Sequence, residues 1–105
     1  MIKNNVKTKW KNKEVVLNSF LSIPNTFTAE IMSEQGYDAL TIDYQHGMIG
    51  FSDLFTMLQS IRSSGVTPIC RVSGLDHAVI SKVMDAGALG IICLLYTSDA
   101  ADEQD

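Results

Sequence analysis

The stretch ALTIDYQHGMIGFSDLFTMLQSIRSSGVTPICRV, residues 39–72, contains one complete strand–helix–strand unit and decides the fold. Its two ends, Ala39–Asp43 and Thr67–Val72, are short apolar runs of the kind that form buried strands. Between them the spacing predicts a helix that begins at Ser52 and ends before Gly65, with an inward face of Leu54, Phe55, Leu58 and Ile61. Two strands joined through a helix run parallel, so this unit predicts a parallel α/β sheet.

The same alternation continues on both sides of this unit. Before it, Val15–Leu21 reads as a strand, and Asn25 or Thr26 is placed to cap a helix with Phe27, Ile31 and Met32 at helical spacing. After it, Asp76 is placed to cap a helix that Gly87 closes, with Val79, Ile80 and Val83 inward, and a fourth strand opens at Gly90. A short basic helix is expected within residues 3–13. The predicted order is therefore β-α-β-α-β-α-β after that helix.

Composition limits the class of protein. The chain has 105 residues, of which 46% are hydrophobic and 19% charged, which is typical of one globular domain at most. No apolar run approaches the roughly 18 residues of a membrane span. Cys70 and Cys93 both lie in apolar strand-like runs, which favours buried reduced thiols and a cytoplasmic location over a disulfide framework.

The charge is unevenly distributed. The formal net charge is −4, from 8 Lys+Arg and 12 Asp+Glu, and residues 93–105 account for all of it with four acidic residues and no base. Five lysines lie in the first thirteen residues, but the acidic total and sparse aromatic residues give little support to nucleic-acid binding. We expect neither a nucleic-acid nor a membrane partner.

Polar residues follow the predicted strands where parallel α/β proteins place their sites. Asp43 and His46 follow the second strand and Arg71 ends the third, so we expect an acid, an imidazole and a guanidinium at one edge of the sheet. Each has a simpler interpretation: Asp43 as a loop cap and His46 as a surface histidine, whereas a buried Arg71 requires an anionic partner. Asp85, near a helix C-terminus, pairs either with His46 or Arg71 or only with solvent.

Several enzyme classes lack their sequence motif here. The dinucleotide pattern G-x-G-x-x-G, the phosphate loop G-x-x-x-x-G-K-[ST] and the nucleophile elbow G-x-S-x-G do not occur, and no Cys/His cluster has metal-ligand spacing. Nucleotide-dependent dehydrogenases, P-loop enzymes and serine hydrolases are therefore disfavoured.

Several linked motifs follow in order along the chain: Gly36–Asp38, Ile42–Gly47 (IDYQHG), Pro68–Val72 (PICRV), Met84–Ala88 (MDAGA) and Gly90–Ile92. Together they resemble the HpcH/HpaI family of class II pyruvate aldolases. The resemblance implies that residues 1–92 are the N-terminal half of a (β/α)8 TIM barrel, with about four strands and three to four helices. Such a barrel needs about 250 residues in all.

The resemblance also implies an activity and residue roles. Members cleave 4-hydroxy-2-oxo acids to pyruvate, or a related 2-oxo acid, and an aldehyde. His46 would serve as the general base and Asp85 would pair with it; Arg71 would bind the 2-oxo acid and stabilise the enolate, and Phe20 would lie near the substrate. Asp43 and Gln45 would support the site.

The same resemblance implies a cofactor and an assembly, and the chain departs from the family pattern at two positions. A divalent cation, Mg2+ or Mn2+, is expected, with its ligands on later strands and no metal ligand in this chain. The partners would be a small 2-oxo acid and an aldehyde, and the full-length protein would be a homo-oligomer, expected as a hexamer. Gln45 stands where many relatives have Glu, and Asn18 replaces a common glycine.

The C-terminal segment, residues 93–105, does not continue the family pattern. Its string CLLYTSDAADE resembles the translation of a transposon-library sequencing adapter, with a genuine acidic C-terminus as the alternative. We therefore expect a truncated reading frame whose product is inactive. Two other interpretations stay open: a citrate-lyase-like CoA-ester lyase of the same superfamily, and a non-enzymatic small α/β binding module that uses the basic N-terminal segment.

Overall fold

The computed structural model describes residues 4–45 and 48–94, and of Leu94 only the main chain. Helices and strands alternate after a first short helix, which confirms the predicted order. The elements are α1 (Asn5–Lys11), β1 (Asn18–Leu21), α2 (Thr26–Met32), β2 (Ala39–Asp43), α3 (Phe51–Arg62), β3 (Thr67–Ser73), α4 (His77–Asp85) and β4 (Gly90–Leu94).

The four strands form one parallel sheet in the order β1-β2-β3-β4. Sequential order with a helix in each crossover places α2, α3 and α4 on the same face of the sheet. The opposite face, here called the inner face, carries Phe20, Ile69 and Arg71, and α1 lies at its amino end. This arrangement is the first part of a TIM barrel and confirms the predicted fold class.

The core lies between the sheet and its three helices. Leu40, Ile42, Cys70 and Val72 point from β2 and β3 into it, and each is at most 1% exposed. α3 fills most of the opposite side with Leu54, Met57, Leu58 and Ile61, all fully buried. At the edge of this layer, Val79 and Ile80 of α4 are partly buried, while Val83 is completely enclosed.

Two predicted helix faces differ from the structure. Phe55, predicted to face inward, is 44% exposed, and Met57 takes the inward place. In α2 it is Ala29 that is fully buried, whereas Phe27 and Ile31 are 68% and 45% exposed. The reason is the same in both helices: spacing defines an apolar stripe, but the direction from which the sheet approaches decides which edge of that stripe is buried.

Element boundaries follow backbone pairing rather than composition. β1 begins at Asn18, the first residue with a partner in β2, and the apolar residues Val15 and Leu17 before it are 79% and 57% exposed. Asn25 and Asp76 do cap α2 and α4, each through its side-chain oxygen. α3 begins at Phe51 after Gly50, which offers no side-chain cap.

The basic N-terminal segment forms a helix that closes the amino end of the sheet. Val6 is 3% exposed, and the Asn5 side chain donates to the Gly65 carbonyl at 3.0 Å. Lys9 Nζ lies 2.7 Å from Asp38 Oδ1, and this hydrogen-bonded carboxylate raises the pKa of Lys9. At least one lysine of this helix, Lys9, therefore forms an ion pair within the fold.

The C-terminal segment is described only at its start. β4 continues through Cys93 to Leu94, and residues 95–105 lie outside the described residues. Among the helices that are described, none combines the length and apolar character needed to cross a membrane.

Candidate functional site

Asp43 and Arg71 meet at the carboxyl end of the sheet, as predicted from the strand order. They are direct neighbours in the register of β2 and β3. Arg71 donates from Nε to Asp43 Oδ1 at 3.2 Å and from Nη2 to Asp43 Oδ2 at 2.5 Å. The two side chains are 22% and 9% exposed, so the guanidinium has the anionic partner that its partial burial requires.

Asp43 also caps the loop after β2. Its Oδ1 accepts a hydrogen bond from the Gln45 backbone N–H at 3.1 Å. The two interpretations of this carboxylate, loop cap and partner of Arg71, therefore hold together. Its hydrogen bond to Arg71 is the main reason that the pKa of Arg71 is raised, which keeps the guanidinium charged at any physiological pH.

Phe20 reaches the same guanidinium from β1. Its ring centroid lies 5.0 Å from Arg71 Cζ, within cation–π distance. Arg71 is thus held by a carboxylate along one edge and by an aromatic ring on one face. Its Nη1 group makes no hydrogen bond to the residues that the structure describes, and this edge can donate to a bound anion.

The loop after β2 holds the next two predicted residues. Gln45 is partly buried, and its Oε1 has no hydrogen-bond partner in the described part of the chain. His46 lies outside the described residues, as does Gly47. The main chain of Tyr44, which precedes them, donates to the Arg71 carbonyl at 3.0 Å and so ties the start of the loop to β3.

Asp85 is not brought to this edge. It is exposed and ends α4, which returns from the carboxyl end of β3 toward the amino end of β4. There it borders a groove of about 310 Å3 on the helical side of the fold, together with Phe51, Phe55 and Lys82. Within residues 4–45 and 48–94 it makes no ion pair, and because His46 lies outside these residues, the pairing of Asp85 with His46 stays a prediction.

One polar pair on the inner face was missed by sequence reasoning. The Thr41 hydroxyl donates to Asn18 Oδ1 at 2.9 Å, beside the Asp43–Arg71 pair on the same sheet. The signal was present: a threonine in an otherwise apolar strand, and an asparagine in the strand before it. Only the register shows that the two face each other.

The described residues do not form a metal centre by themselves. They contain no group of three or more His, Cys, Asp or Glu side chains that could hold a metal ion. Both oxygens of Asp43, the buried carboxylate of the site, accept hydrogen bonds from Arg71, and Oδ1 also accepts from the Gln45 N–H. The position of any metal ligands on later strands stays a prediction.

The thiols are poor candidates for catalysis. Cys70 is fully buried on the helical side, and burial, followed by the nearby Asp43 charge, raises its pKa to about 12. Cys93 is partly buried and donates to the Gly74 carbonyl at 2.8 Å. Neither thiol faces Arg71.

Sequence and fold comparisons agree on one group of enzymes. No protein-family model matches the chain. It is 37% identical over 97 residues to the hydroxypyruvate/pyruvate aldolase of Rhizorhabdus wittichii, a match that covers 92% of this chain and 39% of that enzyme.

Solved structures with a similar fold include a citrate synthase and a HpcH/HpaI family protein. The citrate synthase SbnG superposes with a TM-score of 0.80 at 32% identity, over 87% of this chain and 37% of its own. A HpcH/HpaI aldolase/citrate lyase family protein from Burkholderia cenocepacia superposes with a TM-score of 0.78 at 26% identity, over 94% of this chain and 40% of its own. The chain thus spans about two fifths of the length of the proteins it matches.

Proposed function

Because the chain belongs to the HpcH/HpaI aldolase family, we propose that it forms the N-terminal part of a metal-dependent carbon–carbon lyase. The reaction would cleave a 4-hydroxy-2-oxo acid to pyruvate, or a related 2-oxo acid, and an aldehyde. The observation that carries the proposal is the guanidinium of Arg71, fixed by Asp43 and Phe20 at the carboxyl end of a parallel sheet.

Arg71 is the substrate-binding group in this proposal. The Nε–H group and one Nη2 N–H group of Arg71 donate to Asp43. The Nη1 edge of Arg71 is therefore the part that meets the oxygens of the 2-oxo acid. Cleavage of the carbon–carbon bond moves negative charge onto the 2-oxo oxygen, and a prepositioned guanidinium stabilises that charge. Phe20 has a second role in this arrangement, which is contact with the substrate. The residue is 46% exposed, and this exposed surface is open to the substrate.

His46 is proposed as the general base, and Gln45 as a supporting residue beside it. The support is the family motif and the position of the motif on the loop directly after Asp43. An imidazole has a pKa near neutrality, which suits proton transfer at physiological pH. Asp85 is proposed as the partner of His46 from the resemblance alone, since in the described part of the chain it lies on the helical side.

A divalent cation, Mg2+ or Mn2+, belongs to the proposal through the family. The described residues do not fit a metal site on their own, because Asp43 is committed to Arg71 and no cluster of ligands surrounds it. The ligands would come from elsewhere in the protein, and the part played by Arg71 and Asp43 does not depend on them.

A chimeric barrel tests the proposal. Residues 1–92 of this chain would replace the matching segment of the Rhizorhabdus wittichii aldolase, and pyruvate release from a 4-hydroxy-2-oxo acid would be coupled to NADH oxidation. We expect cleavage by the chimera and a loss of about 100-fold or more with Arg71→Ala, as for removal of a group that stabilises a developing oxyanion. A folded chimera whose activity is unaffected by Arg71→Ala would contradict the assignment.

A second candidate is a citrate-lyase-like CoA-ester lyase. It is favoured by the match to the Burkholderia cenocepacia protein, whose family name includes citrate lyase. The same chimera cannot decide this, because its remaining strands come from an aldolase. The complete natural enzyme would be assayed with a CoA thioester against a free 2-oxo acid.

Three further features are proposed for the protein. The 105-residue chain alone is expected to be inactive, because four strands do not close a barrel. The complete enzyme is proposed to be a homo-oligomer, a hexamer by resemblance. A cytoplasmic location is supported by the two free thiols, Cys70 and Cys93.

A further inference from the structure

Phe20 and Arg71 meet above a strand that carries neither of them. Phe20 lies in β1 and Arg71 in β3, and β2 runs between these two strands. Neighbouring strands are roughly 5 Å apart, so the backbones of β1 and β3 are roughly 10 Å apart. Because the Phe20 ring centroid lies only 5.0 Å from Arg71 Cζ, both side chains reach over β2 to make this contact. The β2 side chains on that face therefore lie beside the contact.

Two β2 residues, Thr41 and Asp43, lie on this face. Asp43 is placed there by its ion pair with Arg71, and side chains two residues apart in a strand point to the same side of a sheet. Thr41 is the register partner of Phe20. Asp43 is the register partner of Arg71. Each of the two side chains that meet over β2 thus has its own direct neighbour in that strand.

A hydrogen bond fixes the Thr41 side chain. Thr41 is fully buried, and its hydroxyl donates to Asn18 Oδ1 at 2.9 Å. Asn18 precedes Phe20 by two residues in β1, so the bond turns the hydroxyl toward the amino end of the sheet, away from Arg71. The oxygen and the methyl group on a threonine Cβ rotate together, so fixing one also fixes the other. The surface that Thr41 presents to its register partner is therefore set by Asn18.

We infer that Thr41 is a positioning residue: held by Asn18, it sets the Phe20 ring against the guanidinium of the site. The inference rests on the proposed function, in which Arg71 binds the 2-oxo acid. Two hydrogen bonds to Asp43 align one edge of the guanidinium with the carboxylate. They restrain its tilt out of the carboxylate plane only weakly, whereas a ring against its face opposes that tilt. The direction of the Nη1 edge thus depends on where the ring lies.

Kinetics of the chimeric barrel test the inference. Thr41→Val keeps the shape of the side chain and removes the donor to Asn18. It should lower kcat/KM for a 4-hydroxy-2-oxo acid about tenfold, because small displacements of a binding group are costly in rate. Thr41→Ser keeps the hydroxyl and should retain most of the activity. In a Phe20→Leu background, Thr41→Val should cause no further loss, since its effect passes through the ring.

Thr67→Val is the matched control. Thr67 is a buried threonine of β3, and its hydroxyl oxygen accepts from the Val6 N–H at 3.4 Å at the amino end of the sheet. Its substitution also removes a buried hydroxyl with a hydrogen-bond partner, but at the opposite end of the strand from the guanidinium. It should leave kcat/KM unchanged. Thermal unfolding of each variant would show any loss of stability separately from the loss of activity.

A spectroscopic measurement on the 105-residue chain separates this inference from the proposed activity. The Phe20 ring current displaces the proton resonance of the Arg71 Nε–H group, and comparison with Phe20→Leu measures that displacement. Thr41→Val should remove most of it, whereas Thr67→Val should not. A folded chimera without cleavage activity would contradict the proposed function, and the resonance would still decide whether Thr41 positions the ring.

Four results would overturn the inference. Thr41→Val keeps full activity or the full displacement of the Arg71 resonance, Thr41→Ser is as impaired as Thr41→Val, or Thr67→Val is impaired equally. The fourth is a loss from Thr41→Val that persists in the Phe20→Leu background, because the threonine would then act on the stability of the fold and not through the ring.

Discussion

Gly87 lies in the MDAGA motif, and its backbone predicts a large effect of a small substitution. Its φ is +123°, a conformation that side-chain-bearing residues rarely adopt, and a Cβ added there would lie 2.9 Å from Arg62 Cδ. We expect Gly87→Ala to lower the free energy of unfolding by about 2 kcal/mol, mainly through backbone strain, because the nearby Arg62 atoms belong to the far end of a flexible side chain that can move aside. For a domain of this size that is a fall in Tm of about 10 °C.

Two comparisons separate the strain from the contact. Gly65 has a φ of +87°, and a Cβ added there would have no neighbour within 4 Å, so Gly65→Ala should show only the backbone cost, about 1 kcal/mol. Introducing Gly87→Ala into an Arg62→Ala background should leave its cost nearly unchanged, because the Arg62 side chain can move aside, and a double-mutant cycle measures this. Thermal unfolding at one fixed chain concentration would provide the data. If Gly87→Ala is as stable as the unsubstituted chain, the backbone argument is refuted.

Three other substitutions test the site, a thiol and a helix cap. Asp43→Asn in the chimeric barrel should lower kcat/KM by about 100-fold, because a guanidinium without its counter-charge loses its orientation; an unchanged value would contradict the positioning role. Cys70 has a folded pKa of about 12 against 9.0 in its unperturbed state, so unfolding releases a proton above pH 9 and stability should fall from there toward pH 12. Cys70→Ala should abolish that part of the alkaline loss in urea titrations. Asp76→Ala removes the acceptor for two backbone N–H groups of α4 and should cost about 1 kcal/mol by urea unfolding, whereas Asp76→Asn should cost only a few tenths.

The strands and the central ion pair could be predicted from sequence. β2 has the predicted limits, Ala39–Asp43, because a buried parallel strand is apolar along its whole length and polar residues mark where it ends. Once two such strands are joined through a helix, their carboxyl ends must meet. Asp43 and Arg71 therefore had to be neighbours, whatever the details of packing.

The helices were harder, for a physical reason. Leu54, Phe55, Met57 and Leu58 are all apolar, and two overlapping sets of them fit helical spacing equally well. Met57 is buried and Phe55 is not because of the way α3 lies across β2 and β3. This orientation cannot be read from the residue spacing within one helix. The position of Asp85 was hard to predict for a related reason. The motif fixes where Asp85 lies in the sequence, but not at which end of the sheet the helix that contains it ends.

Two different substitutions of Asp43 have to be compared, because this carboxylate has two separate contacts. Its Oδ1 accepts from both the Gln45 main chain and Arg71 Nε, so one carboxylate organises the loop that leads to His46 and also the guanidinium. Asn keeps an oxygen for the Gln45 N–H and removes the charge that holds Arg71, whereas Ala removes both. If the loop matters separately, Asp43→Ala must lose more activity than Asp43→Asn. If the two variants are equally impaired, the carboxylate acts through Arg71 alone, and the loop keeps its course through the Tyr44 bond to β3.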